Sequence, residues 1–418
     1  LKIEFSFNTS YGTKYGPNAN GGGRANGIVG EATSWQLWYP GYTEDGSYMI
    51  GYGWDASNNR NNPLASLHET KAKDTKLRLL GNLNTHYQIT KALRLSVLLG
   101  ATTLTNHRYS FRPEMEVFQA TADGQDDRLN NLNWLSETLL TYDKSFGKHG
   151  LTVLAGITGQ KQSSDWNHIR SRDYINNYVY TLNAVNNKVL TAHSQESQWS
   201  MVSYLSRVNY NYDGKYLLTA SIRADGSSRF GKNRKYGYFP SAAFAWRISE
   251  EPFFRTNQVI DDLKLRVSYG ETGNNNIGDY AHISTAGYSS AVFGGEKVGG
   301  YFPERFPNDE LTWEYQKSFN GGVDARFIRG RLSLTADYFY ARNYSLLLDV
   351  NVPLITGFST SLMNIGEVEN KGFEVTLNSR NLVGDFSWTT DLNFSTYRNK
   401  VRKLGPEGDP IIVNNQSI

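Results

Sequence analysis

The stretch from Trp199 to Ile248 alternates apolar and polar side chains over three successive segments. An extended backbone points successive side chains to opposite faces, so a period of two predicts β-strands with one apolar face. The dipeptide Asp213-Gly214 suits the positive φ of a tight hairpin turn. The stretch therefore predicts three antiparallel strands. In the middle strand Tyr216, Leu218, Ala220 and Ile222 lie on one face.

The same alternation recurs along the rest of the chain. It is found in residues 1–7, 77–88, 92–103, 132–142, 151–160, 263–269, 313–325, 331–342, 372–380 and 386–396. Together with the stretch above, these segments predict about 13 strands of roughly 8 to 13 residues, and a tilted strand needs about 9 to 11 residues to cross a bilayer. The predicted fold class is therefore all-β and antiparallel.

Short and long links alternate between these segments. The long links cover residues 8–74, 104–131, 161–198 and 271–312. Outer-membrane barrels have this pattern, with short turns in the periplasm and long loops outside the cell. A soluble sandwich does not require short and long links to alternate in this way. A propeller would show a sequence repeat of about 40 to 50 residues, and none is found. We therefore expect the 13 strands to be part of a larger transmembrane β-barrel.

The composition agrees with a barrel in which only alternate residues face lipid. Aromatic residues make up 13% of the chain, and no apolar run reaches the roughly 18 residues of a transmembrane helix. Several aromatics near predicted strand ends would form interfacial girdles, namely Tyr210, Tyr212, Tyr216, Tyr238, Phe239, Tyr338 and Tyr340. The alternative is that these side chains only form cross-strand pairs in a soluble sheet.

Charge and cysteine content exclude several functional classes. The net charge of +3 comes from dispersed Lys and Arg, so no nucleic-acid-binding surface is predicted. The chain has no Cys, which excludes disulfides and thiolate metal sites. The seven His do not have metal-ligand spacing, and no catalytic Ser, His and Asp arrangement or carboxylate pair can be recognised. We expect no enzyme activity, no metal and no cofactor.

Two groups of titratable residues are interpreted as belonging to loops. Asp123, Asp126 and Asp127 resemble a calcium loop only loosely, because the closing Glu of an EF-hand is missing, and a solvated loop is the preferred interpretation. Four histidines are likewise placed in or near exposed loops, namely His107, His149, His168 and His193.

Four longer runs carry a family resemblance. They are residues 217–231 (LLTASIRADGSSRFG), 237–242 (GYFPSA), 263–274 (LKLRVSYGETGN) and 364–374 (NIGEVENKGFE). In this order they resemble the SusC/RagA family of TonB-linked outer-membrane proteins. The resemblance covers nearly the whole chain.

Members of that family are large barrels with an N-terminal plug, and they import glycans or peptides while a SusD-like surface lipoprotein acts as a lid. The resemblance implies that residues 1–418 are part of one TonB-dependent receptor barrel domain, without its plug or last strands. It implies the outer membrane of a Gram-negative, Bacteroidetes-like bacterium as the location. The implied partners are outer-membrane lipids, a SusD-like lipoprotein, TonB acting through the plug, and a glycan or peptide substrate.

Aromatic side chains in the first long link are candidates for ligand binding. Flat aromatic faces among Gly and Asn residues suit stacking on sugar rings. The alternative is packing between loops or against the lid lipoprotein. The candidate residues are Trp35, Trp38, Tyr39, Tyr42 and Trp54.

Charged side chains on the polar face of the predicted strands are candidates for contact with the plug. A barrel lumen is polar, and in a plugged barrel it faces the plug. The candidate residues are Arg207, Arg223, Arg247, Arg266 and Glu374.

Three other functions stay open. A siderophore or cobalamin receptor would have a smaller ligand cavity and no neighbouring lid lipoprotein. A non-transporting adhesin or structural barrel would lack a TonB box. A soluble glycan-binding β-protein would stay in solution without detergent.

Overall fold

The computed structural model describes residues 1–17, 27–51, 61–118, 120–185, 189–254, 259–405, 412–413 and 416–417. Its main feature is an antiparallel sheet of 13 strands, which confirms the predicted fold class and strand number. In chain order the strands are β1 (Lys2–Tyr15), β2 (Lys71–Gln88), β3 (Leu93–Arg112), β4 (Asp123–Phe146), β5 (His149–Arg172), β6 (Val189–Tyr212), β7 (Tyr216–Ser227), β8 (Tyr236–Arg247), β9 (Ile260–Asn274), β10 (Ala286–Phe293), β11 (Glu296–Pro303), β12 (Glu314–Phe327), β13 (Leu332–Asn351), β14 (Thr360–Leu382), β15 (Trp388–Lys403), β16 (Ile412–Val413) and β17 (Gln416–Ser417).

Strands that follow each other in sequence are neighbours in the sheet. The order is β1 to β9, then β12 to β15, because β10 and β11 form a separate hairpin and β16 pairs only with β17. The predicted hairpin turn is present, since Asp213 and Gly214 between β6 and β7 both have positive φ, at 56° and 68°. In the described part of the chain the sheet is open, with β1 and β15 at its edges.

The two faces of the sheet differ in chemistry, as the alternation predicted. On one face, which we call the apolar face, large hydrophobic side chains are exposed; examples are Phe7, Leu99, Ile157, Ile222 and Phe373. Residues one position along each strand lie on the other, polar face, where Arg207 is opposite Ser221 and Ser221 opposite Ser241. An exposed apolar face of this size needs an apolar environment.

Several strands are longer than the sequence predicted. β4, β5 and β6 each have 24 residues, and they include Asp123 and His168, which were assigned to loops. That assignment was wrong because both faces of these extensions are polar, so no alternation marks them as strands. Cross-strand charge pairs such as Asp123 with Arg172, whose atoms Oδ2 and Nε are 2.7 Å apart, stabilise them instead.

Short and long connections emerge at opposite ends of the sheet. Residues 89–92, 147–148 and 213–215 are short links at one end, whereas the described residues between β1 and β2 and residues 275–313 belong to the long-connection end. The first long connection contains two helices, α1 (Ile28–Ser34) and α2 (Pro63–Glu69), and the second contains the β10–β11 hairpin. None of these three elements was predicted. Among the described residues, no helix is long and apolar enough to cross a membrane.

The largest buried cluster lies among the long connections. It consists of Phe230, Phe239, Ala281, Leu311 and Trp313. The pairing of β8 with β9 ends at Ser241 and Gly270. Beyond that pair, Trp313 lies against the free edge of β8, and its Nε1 donates to the carbonyl oxygen of Lys235 at 2.9 Å.

The sequence run at residues 225–231 explains how this cluster is held. The guanidinium of Arg229 donates to Asp279 Oδ1 at 2.8 Å and to the carbonyl oxygen of Asn275 at 3.1 Å. Phe230 is fully buried, and a Cβ on Gly231 would lie 2.4 Å from the carbonyl oxygen of Asp309. Hydrogen bonds and packing therefore attach the link between β7 and β8 to the connection between β9 and β12.

Replacing Phe230 by Ala is expected to loosen this layer of connections. Truncating a fully buried Phe costs about 3–5 kcal/mol, which corresponds to a rise in local opening of at least about 100-fold. Hydrogen exchange at the amides of Ala281 and Leu311 in the full-length protein measures the change. The control is Phe293→Ala, because Phe293 is 69% exposed on β10. An equal loss of protection in both variants would contradict the packing role.

Candidate functional site

All five charged candidates lie on the polar face of the sheet. Arg266 is opposite Gly322, Gly322 opposite Asp337, and Asp337 opposite Glu374, so Arg266 and Glu374 belong to one row. The other three occupy positions of the same face: Arg207, Arg223 and Arg247. Alternation alone was sufficient to place these side chains.

Three of the five form ion pairs with side chains on the sheet or directly after a strand. Arg266 lies between two carboxylates, with Nε 2.8 Å from Asp324 Oδ2 and Nη2 3.1 Å from Asp337 Oδ2. This arrangement requires Gly322, because a Cβ there would lie 2.3 Å from Asp337 Oδ1 and 2.8 Å from Arg266 Nη2. The other two pairs are Arg223 with Asp225 at 2.7 Å and Arg247 with Glu250 at 2.8 Å.

Arg207 and Glu374 differ from these three. Within the described ranges neither side chain forms an ion pair, and both residues are exposed. Arg207 borders a groove of about 450 Å³ on the polar face. The floor of the groove includes Ser221 and Ser241, whose hydroxyls are 2.6 Å apart. Arg207 and Glu374 therefore offer charges to whatever occupies the space in front of the polar face.

The aromatic candidates form two groups in the first long connection. Trp35, Trp38 and Tyr39 follow α1, and the Tyr39 ring centre lies 6.0 Å from that of Trp35 and 6.4 Å from that of Trp38. Trp35 Nε1 donates to the carbonyl oxygen of Tyr39 at 3.1 Å, so this N–H group forms a hydrogen bond within the connection itself. Trp38 is 70% exposed and has its ring face available. Trp54 lies outside the described residues.

Tyr42 belongs to the second group. Its ring stacks on that of Tyr48 at 5.3 Å, and Tyr42 remains 43% exposed. The hydroxyl of Tyr48 donates to Glu69 Oε1 at 2.9 Å. Burial, together with this carboxylate, raises the pKa of Tyr48 to about 12. The phenol therefore stays protonated near neutral pH and keeps α2 tied to the turn before it.

Asn62 fixes the position of this second group. Its Oδ1 accepts from the amide of Leu64 at 2.9 Å and so caps α2. Its Nδ2 donates to the carbonyl oxygens of Gly41 and Met49, at 2.7 and 3.0 Å. Asn62 is fully buried. One side chain thus joins the helix to both ends of the turn that carries Tyr42.

Four of the residues that were assigned to loops, namely Asp126, Asp127, His107 and His168, form pairs across β3, β4 and β5, whereas His149 lies next to the turn at residues 147–148, as expected. His168 Nδ1 lies 2.6 Å from Asp127 Oδ1, and His107 Nε2 lies 2.8 Å from Asp126 Oδ2. The loop interpretation was wrong because these strands extend well past the apolar region. Within the described residues, no group of three or more His, Asp or Glu side chains is arranged to hold a metal ion.

A row of rings on the polar face was missed in the sequence. The His168 ring is nearly parallel to Trp166, at 5.7 Å and 16°, and to His193, at 6.3 Å and 17°. Trp166, His168 and Arg170 occupy alternate positions, but polar residues occur on both faces of this stretch, so no apolar face marks it as a strand. Residues 161–198 were therefore interpreted as one long loop.

Comparison with known proteins agrees with this geometry. Residues 4–416 match the family described as TonB dependent receptor-like, beta-barrel. TonB-dependent receptor P3 of Formosa agariphila is 35% identical over 378 residues, which cover 89% of this chain and 37% of that protein. TonB-dependent receptor SusC of Bacteroides thetaiotaomicron is 30% identical over 386 residues, which cover 87% of this chain and 37% of that protein.

Solved structures show the same fold. The structure of the RagAB peptide transporter matches 99% of this chain and 46% of its own, with a TM-score of 0.86 and 22% identity. The siderophore receptor PiuA of Acinetobacter baumannii matches the whole of this chain and 56% of its own, with a TM-score of 0.52 and 12% identity.

The chain spans less than two fifths of the curated relatives named above. Its 13 strands are part of a barrel of the outer membrane, and the exposed apolar face is the face that such barrels turn to lipid. The family is one of receptors and is not an enzyme class. By the match over residues 4–416, this chain belongs to the TonB-dependent receptor-like β-barrel family.

Proposed function

We propose that this chain forms the barrel wall of a TonB-dependent importer that takes oligosaccharides or peptides across the outer membrane. The observation that carries the proposal is the family match along the whole sheet, combined with a polar face lined by charged and aromatic side chains. The RagAB peptide transporter, to whose fold the chain is similar, supports the peptide part of this substrate class. The SusC/RagA resemblance of the four sequence runs supports it as well.

The proposed partners are a SusD-like lipoprotein, which acts as a lid, and TonB, which acts through a plug in the barrel lumen. Exposed apolar side chains among the long connections support a lid contact, since Leu37 is 99% and Trp38 70% exposed. The free charges of Arg207 and Glu374 on the polar face support a contact with the plug. We also propose that residues 1–418 are all part of one β-barrel domain.

A siderophore receptor is the second candidate within the same family. The fold is closer to the RagAB chain than to PiuA, with TM-scores of 0.86 and 0.52, and this favours the first candidate. A non-transporting adhesin or structural barrel would share the wall but would not move a solute. Uptake therefore distinguishes the candidates.

Uptake by cells that express the full-length protein tests the proposal. We expect fluorescently labelled maltohexaose, cellohexaose or a mixed peptide library to enter wild-type cells, and entry to stop when the protein is deleted or a protonophore collapses the proton gradient. A lipoprotein should copurify with the tagged protein. Uptake of ferric siderophores alone would support the second candidate, and no energy-dependent uptake of any of these solutes would contradict import.

Trp38→Ala in the full-length protein is expected to weaken binding of the transported solute or of the lid. An aromatic contact contributes about 0.5–1.5 kcal/mol, so affinity should fall roughly two- to tenfold. Equilibrium binding to the purified protein measures it, with Tyr178→Ala as the control, because Tyr178 is an aromatic residue between β5 and β6 that is 86% exposed and has no role in the proposal. Unchanged affinity for both solute and lipoprotein in the Trp38 variant would remove it from the site.

Reversing Arg207 and reversing Arg266 are expected to have different effects. Arg207→Glu should loosen the plug and leave the barrel intact, because Arg207 forms no ion pair in the described sheet. Arg266→Glu should also destabilise the barrel, by about 1–3 kcal/mol, because it places a third carboxylate beside Asp324 and Asp337.

Protease accessibility of the plug and heat-induced unfolding of the barrel, both in the full-length protein, separate these two effects. Arg207→Gln shows how much of the first effect is due to charge reversal. Equal destabilisation of the barrel by Arg207→Glu and Arg266→Glu would contradict the assigned difference.

A further inference from the structure

Basic side chains follow the aromatic side chains on the apolar face of four neighbouring strands. Towards the long connections, the next position of this face after Phe319 on β12 is Lys317, after Tyr340 on β13 it is Arg342, and after Phe373 on β14 it is Lys371. On β15 the residue of this face after Phe394 is Thr396, and the bases begin at the following position, Arg398. We call these six side chains the basic belt: Lys317, Arg342, Lys371, Arg398, Lys400 and Arg402.

The strand register makes the belt continuous. Lys317 is opposite Arg342, Arg342 opposite Glu369, and Glu369 opposite Lys400. Lys371 is opposite Arg398 in the adjacent row. The side chains of Lys317, Arg342 and Lys371 are 45–47% exposed, so their charges are accessible from outside the sheet. The belt is thus one surface that crosses four strands.

Acidic side chains neutralise only part of this charge. Lys317 Nζ lies 3.5 Å from Glu271 Oε1, and Arg342 forms an ion pair with Glu367. Glu369 is buried beneath the belt, where Arg402 Nη2 lies 2.6 Å and Lys371 Nζ 3.9 Å from it. Six bases therefore face three carboxylates. In the described part of the chain, Arg398 and Lys400 form no ion pair.

On β4, β5 and β6 the apolar face has a different composition at the equivalent height, between the apolar side chains and the long connections. Beyond Leu132 on β4 the next residue of the apolar face is Asn130, and beyond Val202 on β6 the face continues with Ser200, Gln198 and Glu196. On β5 it continues beyond Ile157 with Gly159 and Lys161 and later reaches Asp165. Single bases also occur on this face, namely Lys73 on β2, Arg128 on β4 and Lys161 on β5. The six bases of the belt lie on four adjacent strands, so the positive charge is most concentrated on β12–β15.

The position of the belt indicates what it contacts. Aromatic rings of membrane proteins lie at the level of the lipid headgroups, and Lys and Arg beside them extend their charges to the same level. Clustered bases at a membrane surface attract anionic headgroups, and Arg binds phosphate through paired N–H groups. Directly below the belt, Phe373 and Phe394 are more than half exposed on the apolar face.

We propose that the basic belt is a binding site for the phosphorylated headgroup of a membrane lipid. The phosphate contacts the belt, and the acyl chains lie against the apolar side chains of β12–β15 below it. A lipid fits better than a free anion because the charged surface and the apolar surface are continuous. The long connections of outer-membrane barrels lie outside the cell, so the lipid belongs to the outer leaflet. This inference does not depend on which solute is imported.

The test uses purified full-length protein and fluorescent lipid A that carries its phosphate groups. In the variant Lys371→Gln, Arg398→Gln, Lys400→Gln, we expect binding to weaken at least about tenfold. Arg402 remains in this variant, so Glu369 keeps an ion-pair partner and the barrel should unfold at the same temperature as the wild type. The matched control removes three bases from the same face of β2, β4 and β5, namely Lys73, Arg128 and Lys161, each replaced by Gln.

The comparison ligands identify the source of the phosphate. We expect dephosphorylated lipid A to bind at least about tenfold more weakly than the phosphorylated form, and inorganic phosphate not to displace it at equal concentration. The proposal is overturned if the belt variant binds like the wild type, if the control variant loses as much affinity, or if the dephosphorylated lipid binds equally well. Displacement by inorganic phosphate at equal concentration would also overturn it, because the site would then take a free anion.

Discussion

The ladder of backbone hydrogen bonds between antiparallel neighbours is the constraint on which the rest of this structure depends. Inside a bilayer an unpaired N–H or C=O group costs several kcal/mol, so strands are stable there only when they are paired. The register fixes which side chains share a row, and hence which of them face lipid. A shift by one residue would turn every apolar side chain of a strand to the wrong face. The polar face, its charges and the belt beside the aromatic side chains all follow from that register.

The sequence predicted strands well wherever a single face is apolar, as in β7 and β9. It failed for the outer parts of β4, β5 and β6, because polar residues on both faces remove the period of two. It also failed for the β10–β11 hairpin, where both faces are exposed and glycines interrupt the pattern. The helices α1 and α2 have only seven residues each, too few for a helical period to be recognised.

For the candidate site, the face of each residue could be predicted, but its partner could not. Position along a strand decides whether Arg266 lies on the polar face. Its pairing with Asp324, 58 residues away, depends on a register that alternation does not give. The four family runs contribute to this long-range order, because Arg229, Phe230 and Asn364 join distant connections. Asn364 Nδ2, for example, donates to the carbonyl oxygens of Thr312 and Ser345, at 2.8 and 2.9 Å.

The absence of a side chain at Gly322 has a consequence for sequence variation. Arg266 and Asp337 approach each other over this position, and a Cβ would overlap both groups. A larger residue at 322 is compatible with the fold only if the guanidinium or the carboxylate is lost or moves away. Positions 266, 322 and 337 lie on three different strands and far apart in sequence. A side chain at position 322 would therefore displace the ends of Arg266 and Asp337 on the two neighbouring strands.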